Sequence, residues 1–575
     1  MSSSSAPAPE VGRGGGPGDG HGAGDGAGHG AGRRVGLSRT ARGTVVPSAV
    51  RRTRTRSLRS DPVIDWVVTL AVALLALFLR LWNIGFPKSF LFDETYYAKD
   101  AWSLIHHGYV TDYVDKANNE ILAGHVTGLW EKTPSMIVHP NLGRWIIGAG
   151  ESLFGMDPTG WRIPSAVVGA LMVLVMVRLA RRVTGSTLLG AVAGLLMCFD
   201  GLQFVLSRLA LLDIFVAFFT LCAVSCLVAD RDWGRARLAQ LMPEGTRLAP
   251  GSWGPRLWWR PWRLAAGVFW GMALGSKWDA IFPLAAFGLL VWFWDAGARR
   301  SFGVRGAVLK AALVDAAPAV LYLVLLPFVV YLACWTSWMV HAGVYETSLS
   351  HTQYGPYWGD YIKRPAHGFL GKAGKALRDL ANYHRDVLTF HTSGLTDAHH
   401  IYQSKPQGWL ILNRPVGVDA QLGIKPGEQG CAAAPGSTCL RQVLLIGTPA
   451  LWWFGTIAFV WSGICWLGRR DWRYGVVTVG VLVTWLPWLR WDDRPIFSYY
   501  AMMIEPFLVL GATLLLGEML GSATATARRR QVGAIAAGAV FAAVLLNFAW
   551  FWPIYTDGLL TTQQWLERIW FKRWI

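Results

Sequence analysis

Eleven apolar runs, most of them about 20 residues long, constrain this chain more than any other feature. A hydrocarbon core about 30 Å thick is crossed by roughly 20 apolar residues in helical form, and a spanning helix satisfies its own backbone where water cannot. The runs lie at 62–81, 161–180, 187–206, 209–228, 278–297, 312–334, 443–467, 474–490, 496–519 and 531–553, with a shorter one at 262–275. An all-α membrane protein with about 11 transmembrane helices is expected. Charged residues make up only 16% of the chain, against roughly a quarter in soluble domains.

The formal net charge of +18 would suggest nucleic acid as a partner in a soluble protein. Here no zinc-finger spacing, RNA-stacking motif or base-reading basic helix accompanies it, so no nucleic-acid partner is expected and the excess is read as topology. Basic residues stay on the cytoplasmic side of membrane spans. Nine arginines between Arg33 and Arg59 precede the first run, which places the N-terminus in the cytoplasm. Alternating the spans then puts 178–182, 231–263, 297–305, 468–473 and 527–530 inside, and each of these segments is net basic. An odd number of spans leaves the C-terminus external. The expected layout is a disordered, Gly-rich and then Arg-rich cytoplasmic tail over 1–60 and a membrane domain over 61–575. Within that domain lie external loop 1 (about 83–160), external loop 2 (about 335–441), a C-terminal four-span region (about 442–555) and an external tail (556–575). A multi-pass plasma-membrane protein in contact with membrane lipids follows.

Cys198, Cys222, Cys226, Cys334 and Cys465 fall in or beside spans, where a small apolar side chain is the ordinary reading. Cys431 and Cys439 lie in external loop 2, where an oxidising compartment favours a disulfide over two free thiols. No CxxC or HExxH spacing points to zinc.

Polar chemistry concentrates in the external loops. Asp93 and Glu94 follow the first span directly. An acid pair there is either a solvated turn or a working site, and closeness to the headgroup layer favours the second, because it can meet an aqueous acceptor and a lipid-linked donor together. His139 and Arg144 lie in VHPNLGRW, ahead of a stretch to Phe154 that is too short to span and suits the interface. Arg162 opens the second span. Snorkelling accounts for either arginine alone; beside an acid pair they supply the planar cations that phosphate oxygens need. Arg208 and Asp213 are candidates for supporting a substrate site, with a helix-packing ion pair the preferred reading. Lys277, in GSKWDAIF, and Tyr499, in FSYYAMMIEPF, are further candidates for supporting a substrate site. Trp, Tyr and His are frequent in the second loop, where they suit sugar stacking or a plain membrane interface alike.

The segments LFDETYYAKDAWSL, VHPNLGRW, WRIPSAVVGAL, FDGLQFVLSRLALLDIFVAFF, LGSKWDAIF and FSYYAMMIEPF, in order from about 62 to 555, resemble the protein O-mannosyltransferase family in its bacterial, chiefly actinobacterial, form. The resemblance implies a GT-C glycosyltransferase fold and an enzyme that moves mannose from polyprenyl-phosphate-mannose to Ser or Thr hydroxyls of secreted proteins. It adds the Sec translocon as a candidate partner. Two departures stand out: VHPNLGR replaces the usual HPPLGK or HPPLAK, and the second loop is too short for the β-trefoil module of eukaryotic members. On this resemblance Asp93 is the candidate base, and Glu94 positions the acceptor or pairs with an arginine. Arg162, helped by Arg144 and His139, holds the donor phosphate. Displacement at the anomeric carbon inverts it, and a phosphate leaving group needs no protonation, so one carboxylate suffices. No obligatory cofactor and no metal site are expected, with a divalent cation near the donor left open. The alternatives are another lipid-linked-sugar transferase, acting with arabinose or a different sugar, and a transporter. The latter would show repeated halves with broken helices at mid-membrane.

Overall fold

The computed structural model describes residues 61–350, 358–522 and 524–575, and the backbone of Thr44–Val45. The expected disordered tail lies outside the described residues apart from Thr44–Val45, which pairs antiparallel with Arg247–Leu248.

Helix α1 (Pro62–Leu81) starts where the Asp61 carboxylate accepts the Val63 N–H and Pro62 takes the first turn, which has no need of its missing donor. Helix α2 (Glu94–His107), the short α3 (Ala117–Leu122) and α4 (Leu142–Phe154) build the first inter-span segment around a hairpin of Thr111–Tyr113 and Trp130–Pro134. Helix α5 (Pro158–Thr184) is capped by Asp157 and stopped by Gly185 at φ 70°. Helices α6 (Thr187–Cys198) and α7 (Gly201–Leu206) follow, then α8 (Asp213–Leu241), α9 (Pro261–Leu274) and α10 (Ile281–Ser301). The remaining long helices are Ala316–Ala333, Gly368–Thr389, Pro449–Arg469, Trp472–Trp485, Glu505–Leu520 and Ala527–Tyr555.

Burial ranks these helices. The most apolar stretch of α8 is 94% buried, whereas those of α1 and Ala316–Ala333 are 28% and 22% buried. A helix apolar on all sides belongs at the centre of a bundle, so α8 is the hub, and its N-terminal residue Asp213 is buried. About 25 Å further along, at 1.5 Å per residue, Asp230 meets Arg260 and Arg263, which share Asp295. Arg299 pairs with Asp315 nearby in sequence. These buried charges persist because each of them is matched.

Among the described residues seven helices are long and apolar enough to cross a membrane, fewer than the eleven runs. The shortfall has local causes. The run at 187–206 breaks at Asp200, whose carboxylate caps α7 through the Gln203 N–H and also accepts the Thr448 N–H and the Trp452 indole. The run at 496–519 opens as a tight 3-10 turn, Ser498–Met503, before its helix begins at Glu505. The run at 474–490 ends in another, Leu486–Arg490. The run at 262–275 forms a helix of only 14 residues, Pro261–Leu274.

The second large inter-span segment folds rather than looping freely. Val416–Ile424 pairs antiparallel with Cys439–Leu445, Val416 opposite Leu445 and Ile424 opposite Cys439. Leu560–Thr561 adds a third strand beside Cys439–Leu440. Cys431 and Cys439 are joined by a disulfide with Cα atoms 5.8 Å apart. Trp574 is buried, its indole N–H donating to the Leu412 carbonyl at 2.7 Å. The tail therefore packs on the same end of the molecule as the sheet.

Candidate active site

The acid pair divides its duties at one turn. Phe92, at φ 50°, takes the left-handed conformation that non-glycine residues seldom adopt, and Asp93 and Glu94 leave the turn toward different neighbours. The Glu94 carboxylate is saturated: Oε1 accepts from Arg162 Nε at 2.8 Å and the Ala210 N–H at 3.1 Å, and Oε2 from Arg162 Nη2 at 2.8 Å and the Leu91 N–H at 2.9 Å. Asp93 is the N-cap residue of α2, yet its side chain makes no capping bond. It faces Tyr499 instead, whose hydroxyl donates to Oδ2 at 3.4 Å.

Arg162 therefore does something other than hold phosphate. Its remaining donors go to the carbonyls of Ile84 (3.3 Å), Pro87 (2.9 Å) and Ser89 (2.8 Å), and with Glu94 these use all five N–H groups of a side chain that is 1% exposed. The residue clamps the exit from α1 to the acid turn and has no donor left for a ligand. Arg144 is also largely committed. Nε donates to Asp100 at 2.9 Å and Nη1 to the His139 and Pro140 carbonyls at 2.9 and 3.4 Å.

The expected Arg208–Asp213 pair is replaced by two other contacts. Arg208 donates to the carbonyls of Arg80 (2.9 Å), Trp82 (2.6 Å) and Asn83 (3.3 Å), closing the C-terminal end of α1, where a cation suits both the free carbonyls and the helix dipole. Asp213 instead binds Lys277, Nζ to Oδ1 at 2.8 Å. The ammonium also lies 4.1 Å from the centre of the Tyr500 ring. Lys277 occupies an extended break between α9 and the turn Trp278–Ala280. The Leu142 N–H bonds the Gly275 carbonyl at 3.1 Å, which ties the VHPN segment to this break.

His391 closes the group from the second large segment. Its Nε2 donates to the Val138 carbonyl at 3.1 Å and its Nδ1 accepts from Arg494 Nη1 at 3.2 Å, an assignment set by the network. The His139 ring stacks on it at 5.4 Å. Arg494 Nε, Ser498 Oγ and Asp279 Oδ1 are buried without a protein partner among the described residues.

The electrostatics follow from this crowding. Burial, and then the Asp213 charge, push the Asp93 carboxyl up to about 6; Lys277 and the Tyr499 hydroxyl pull the other way. Burial alone would lower Lys277, but Asp213, with Tyr500 and Asp279, outweighs it and holds the ammonium above the ordinary lysine value. Burial and the nearby Arg494 and Lys277 cations keep His391 neutral, down at about 4. The result is a carboxylate poised near neutrality beside a permanent cation, the requirement for a general base acting next to an anionic group. Among the described residues no three His, Cys, Asp or Glu side chains gather as metal ligands.

Asp93, Lys277, Asp213 and Tyr499 converge, with His139 at the edge, whereas Arg162, Glu94 and Arg208 form the frame. Nothing in the sequence singles out His391 or Tyr500. His391 is one of several histidines in an aromatic-rich stretch with no diagnostic spacing, and Tyr500 is half of a Tyr pair whose other member looked equivalent.

Residues 70–345 match the family described as dolichyl-phosphate-mannose-protein mannosyltransferase, and residues 376–574 match the C-terminal four-TMM region of protein-O-mannosyltransferase. Proteins named polyprenol-phosphate-mannose–protein mannosyltransferase are similar along most of the chain. The one from Mycolicibacterium smegmatis (strain MKD8) is 36% identical over 526 residues, covering 89% of this chain and 94% of its own. The Mycobacterium tuberculosis H37Rv protein is 35% identical over 522 residues, covering 89% and 92%, and the Corynebacterium glutamicum protein is 30% identical over 514 residues, covering 88% and 93%. The Saccharomyces cerevisiae protein O-mannosyltransferase Pmt1–Pmt2 complex bound to the sugar donor superposes with a TM-score of 0.65 at 14% identity, covering 92% of this chain and 95% of that one. That likeness establishes the multi-pass GT-C membrane fold. With both stretches matched and relatives at 30% identity or more along nearly nine-tenths of its length, the chain belongs to the dolichyl-phosphate-mannose-protein mannosyltransferase family.

Proposed function

We propose that this protein transfers mannose from polyprenyl-phosphate-mannose to Ser or Thr hydroxyls of secreted or membrane proteins, at the external face of the plasma membrane and with inversion. The observation that carries the reading is Asp93, raised to about 6 and facing Tyr499 beside the Lys277–Asp213 pair. Asp93 takes the acceptor hydroxyl proton as that oxygen attacks the anomeric carbon. The bond from that carbon to the phosphate oxygen breaks, and its electron pair leaves with polyprenyl phosphate. Lys277 and Arg494 are the cations placed to stabilise that anion before and during transfer. Glu94 and Arg162 position the base without touching substrate. A β-linked donor yields an α-mannoside.

The external placement rests on net-basic segments between alternate apolar runs of the sequence, read from a cytoplasmic N-terminus to an external C-terminus. Packing of Leu560–Thr561 and Trp574 against residues 412–445 supports putting the tail on the side of the second loop. Incubating membranes that hold the full chain with labelled polyprenyl-phosphate-mannose and a Ser/Thr/Pro-rich peptide tests the reading. Alkali-labile mannosyl peptide is expected. Transfer to lipid or glycan alone, or use of another lipid-linked sugar in preference, overturns it in favour of a different transferase.

A further inference from the structure

Lys277 owes its place to more than Asp213. It stands in extended backbone, at φ −158° and ψ 144°, between α9 and the turn Trp278–Ala280. On one side its own N–H bonds the Ala273 carbonyl at 3.0 Å, which fastens it to the end of α9. On the other side the next residue, Trp278, is fastened through its side chain. The indole N–H donates to the Tyr331 hydroxyl oxygen at 2.8 Å, and that hydroxyl donates in turn to His384 Nε2. His384 Nδ1 lies 2.7 Å from the Leu380 carbonyl oxygen.

Chemistry fixes the direction of these bonds. A carbonyl only accepts, so Nδ1 carries the proton, and burial holds the ring below the ordinary histidine value, which leaves Nε2 as the acceptor. An indole N–H only donates. Tyr331 therefore both accepts and donates, once each, and neither neighbour can turn without losing its bond. Trp278 also stacks on the His384 ring, centres 5.3 Å apart and planes 21° from parallel, and meets the His391 ring at 6.2 Å. The bonds join the turn after Lys277, the Ala316–Ala333 helix with Tyr331 and the Gly368–Thr389 helix with His384. We infer that His384 is a positioning residue: acting through Tyr331 and Trp278, it sets where the Lys277 ammonium stands in the site. The inference rests on the proposed reaction for what that ammonium meets, the donor phosphate. His384 itself touches no reacting atom in that scheme.

Steady-state kinetics of the full chain in membranes, with labelled polyprenyl-phosphate-mannose and acceptor peptide, test this. Tyr331→Phe removes one oxygen and with it both links, His384→Leu removes the last acceptor, and His384→Gln returns an amide oxygen near the place of Nε2. Donor KM should rise by about tenfold in Tyr331→Phe and in His384→Leu. It should stay within about threefold of the parent in His384→Gln, with acceptor KM within about twofold in all three. In Lys277→Gln the ammonium is already gone, so adding Tyr331→Phe should change donor KM by less than about twofold. The midpoint of the pH–rate profile should move upward in Tyr331→Phe, because a displaced Lys277 lowers the Asp93 carboxyl less. An equal rise in donor KM with and without Lys277, or parental donor KM and midpoint in Tyr331→Phe, overturns the inference. A raised midpoint in Tyr331→Phe, with donor KM at the parental level both there and in Lys277→Gln, would sink the phosphate contact of the proposed reaction and leave the positioning role standing.

Discussion

Replacing Asp93 with Asn removes the proposed base while leaving shape and surroundings nearly intact. Among the described residues the side chain's one hydrogen bond is the long contact from Tyr499 at 3.4 Å, so abundance and melting temperature should match the parent. With the carboxyl at about 6, about nine in ten molecules carry the basic form at pH 7 and about one in ten at pH 5. The sign is fixed by the chemistry: the base must be deprotonated, so activity is lost as pH falls through 6 and levels off above 7. Asp93→Asn should lower turnover by about 10² to 10⁴, equivalent to about 3 to 5 kcal/mol of transition-state stabilisation. Both kcat and kcat/KM should drop together, with donor KM within about threefold of the parent, because Lys277 and Arg494 remain. Labelled donor and acceptor peptide, supplied to membranes with matched protein levels, measure this between pH 5 and 8. Near-normal transfer by Asp93→Asn, or an unchanged pH profile, would refute the assignment of the base.

Four further outcomes are expected. Arg162→Ala leaves Glu94 buried without its cation and should cost about 3 to 5 kcal/mol of stability, seen as a lower melting temperature in detergent; a raised donor KM at unchanged stability would return Arg162 to the phosphate. Lys277→Gln removes a charge that lowers the Asp93 pKa, so donor KM should rise about tenfold or more and the midpoint of the pH–rate profile should move upward; a midpoint that stays put argues against the coupling. Cys431→Ser opens a loop closed across eight residues and should cost about 2.5 kcal/mol on the chain-entropy relation, leaving kcat unaltered in the protein that folds. Reporters fused near residues 240 and 470 should report cytoplasm and those near 120 and 400 the exterior, and an external signal at 240 would invert the assigned topology.

Much of the architecture was legible because spans announce themselves: α1, α5 and Ala527–Tyr555 each contain a long apolar run, and the helices begin where the Asp61, Asp157 and Thr526 side chains cap them. The breaks were not, since Asp200 ends a run through partners at Thr448 and Trp452, about 250 residues away. The acid pair was visible, and the family resemblance gave its two members different roles, but which arginine Glu94 would meet was not. Glu94 and Arg162 meet across 68 residues and Lys277 and Asp213 across 64, distances at which no periodicity links one side chain to another. Arg208 and Asp213 looked like partners because they are close in sequence. The fold sends the arginine to the free carbonyls of α1 and the carboxylate to a lysine that also faces an aromatic ring.

The three-stranded sheet imposes an order on biogenesis. Its hairpin, Val416–Ile424 with Cys439–Leu445, can pair as soon as it emerges, whereas its third strand, Leu560–Thr561, follows the whole of Ala527–Tyr555. That edge stays open until the last long helix has been inserted. Because the strand bearing Cys439 is the one that Leu560–Thr561 covers, the thiols stay accessible to oxidants during this interval and are shielded afterwards. Membrane insertion and oxidative folding of this end are thereby placed in sequence, and a chain stalled before its final helix would expose an unpaired strand edge to chaperones and proteases.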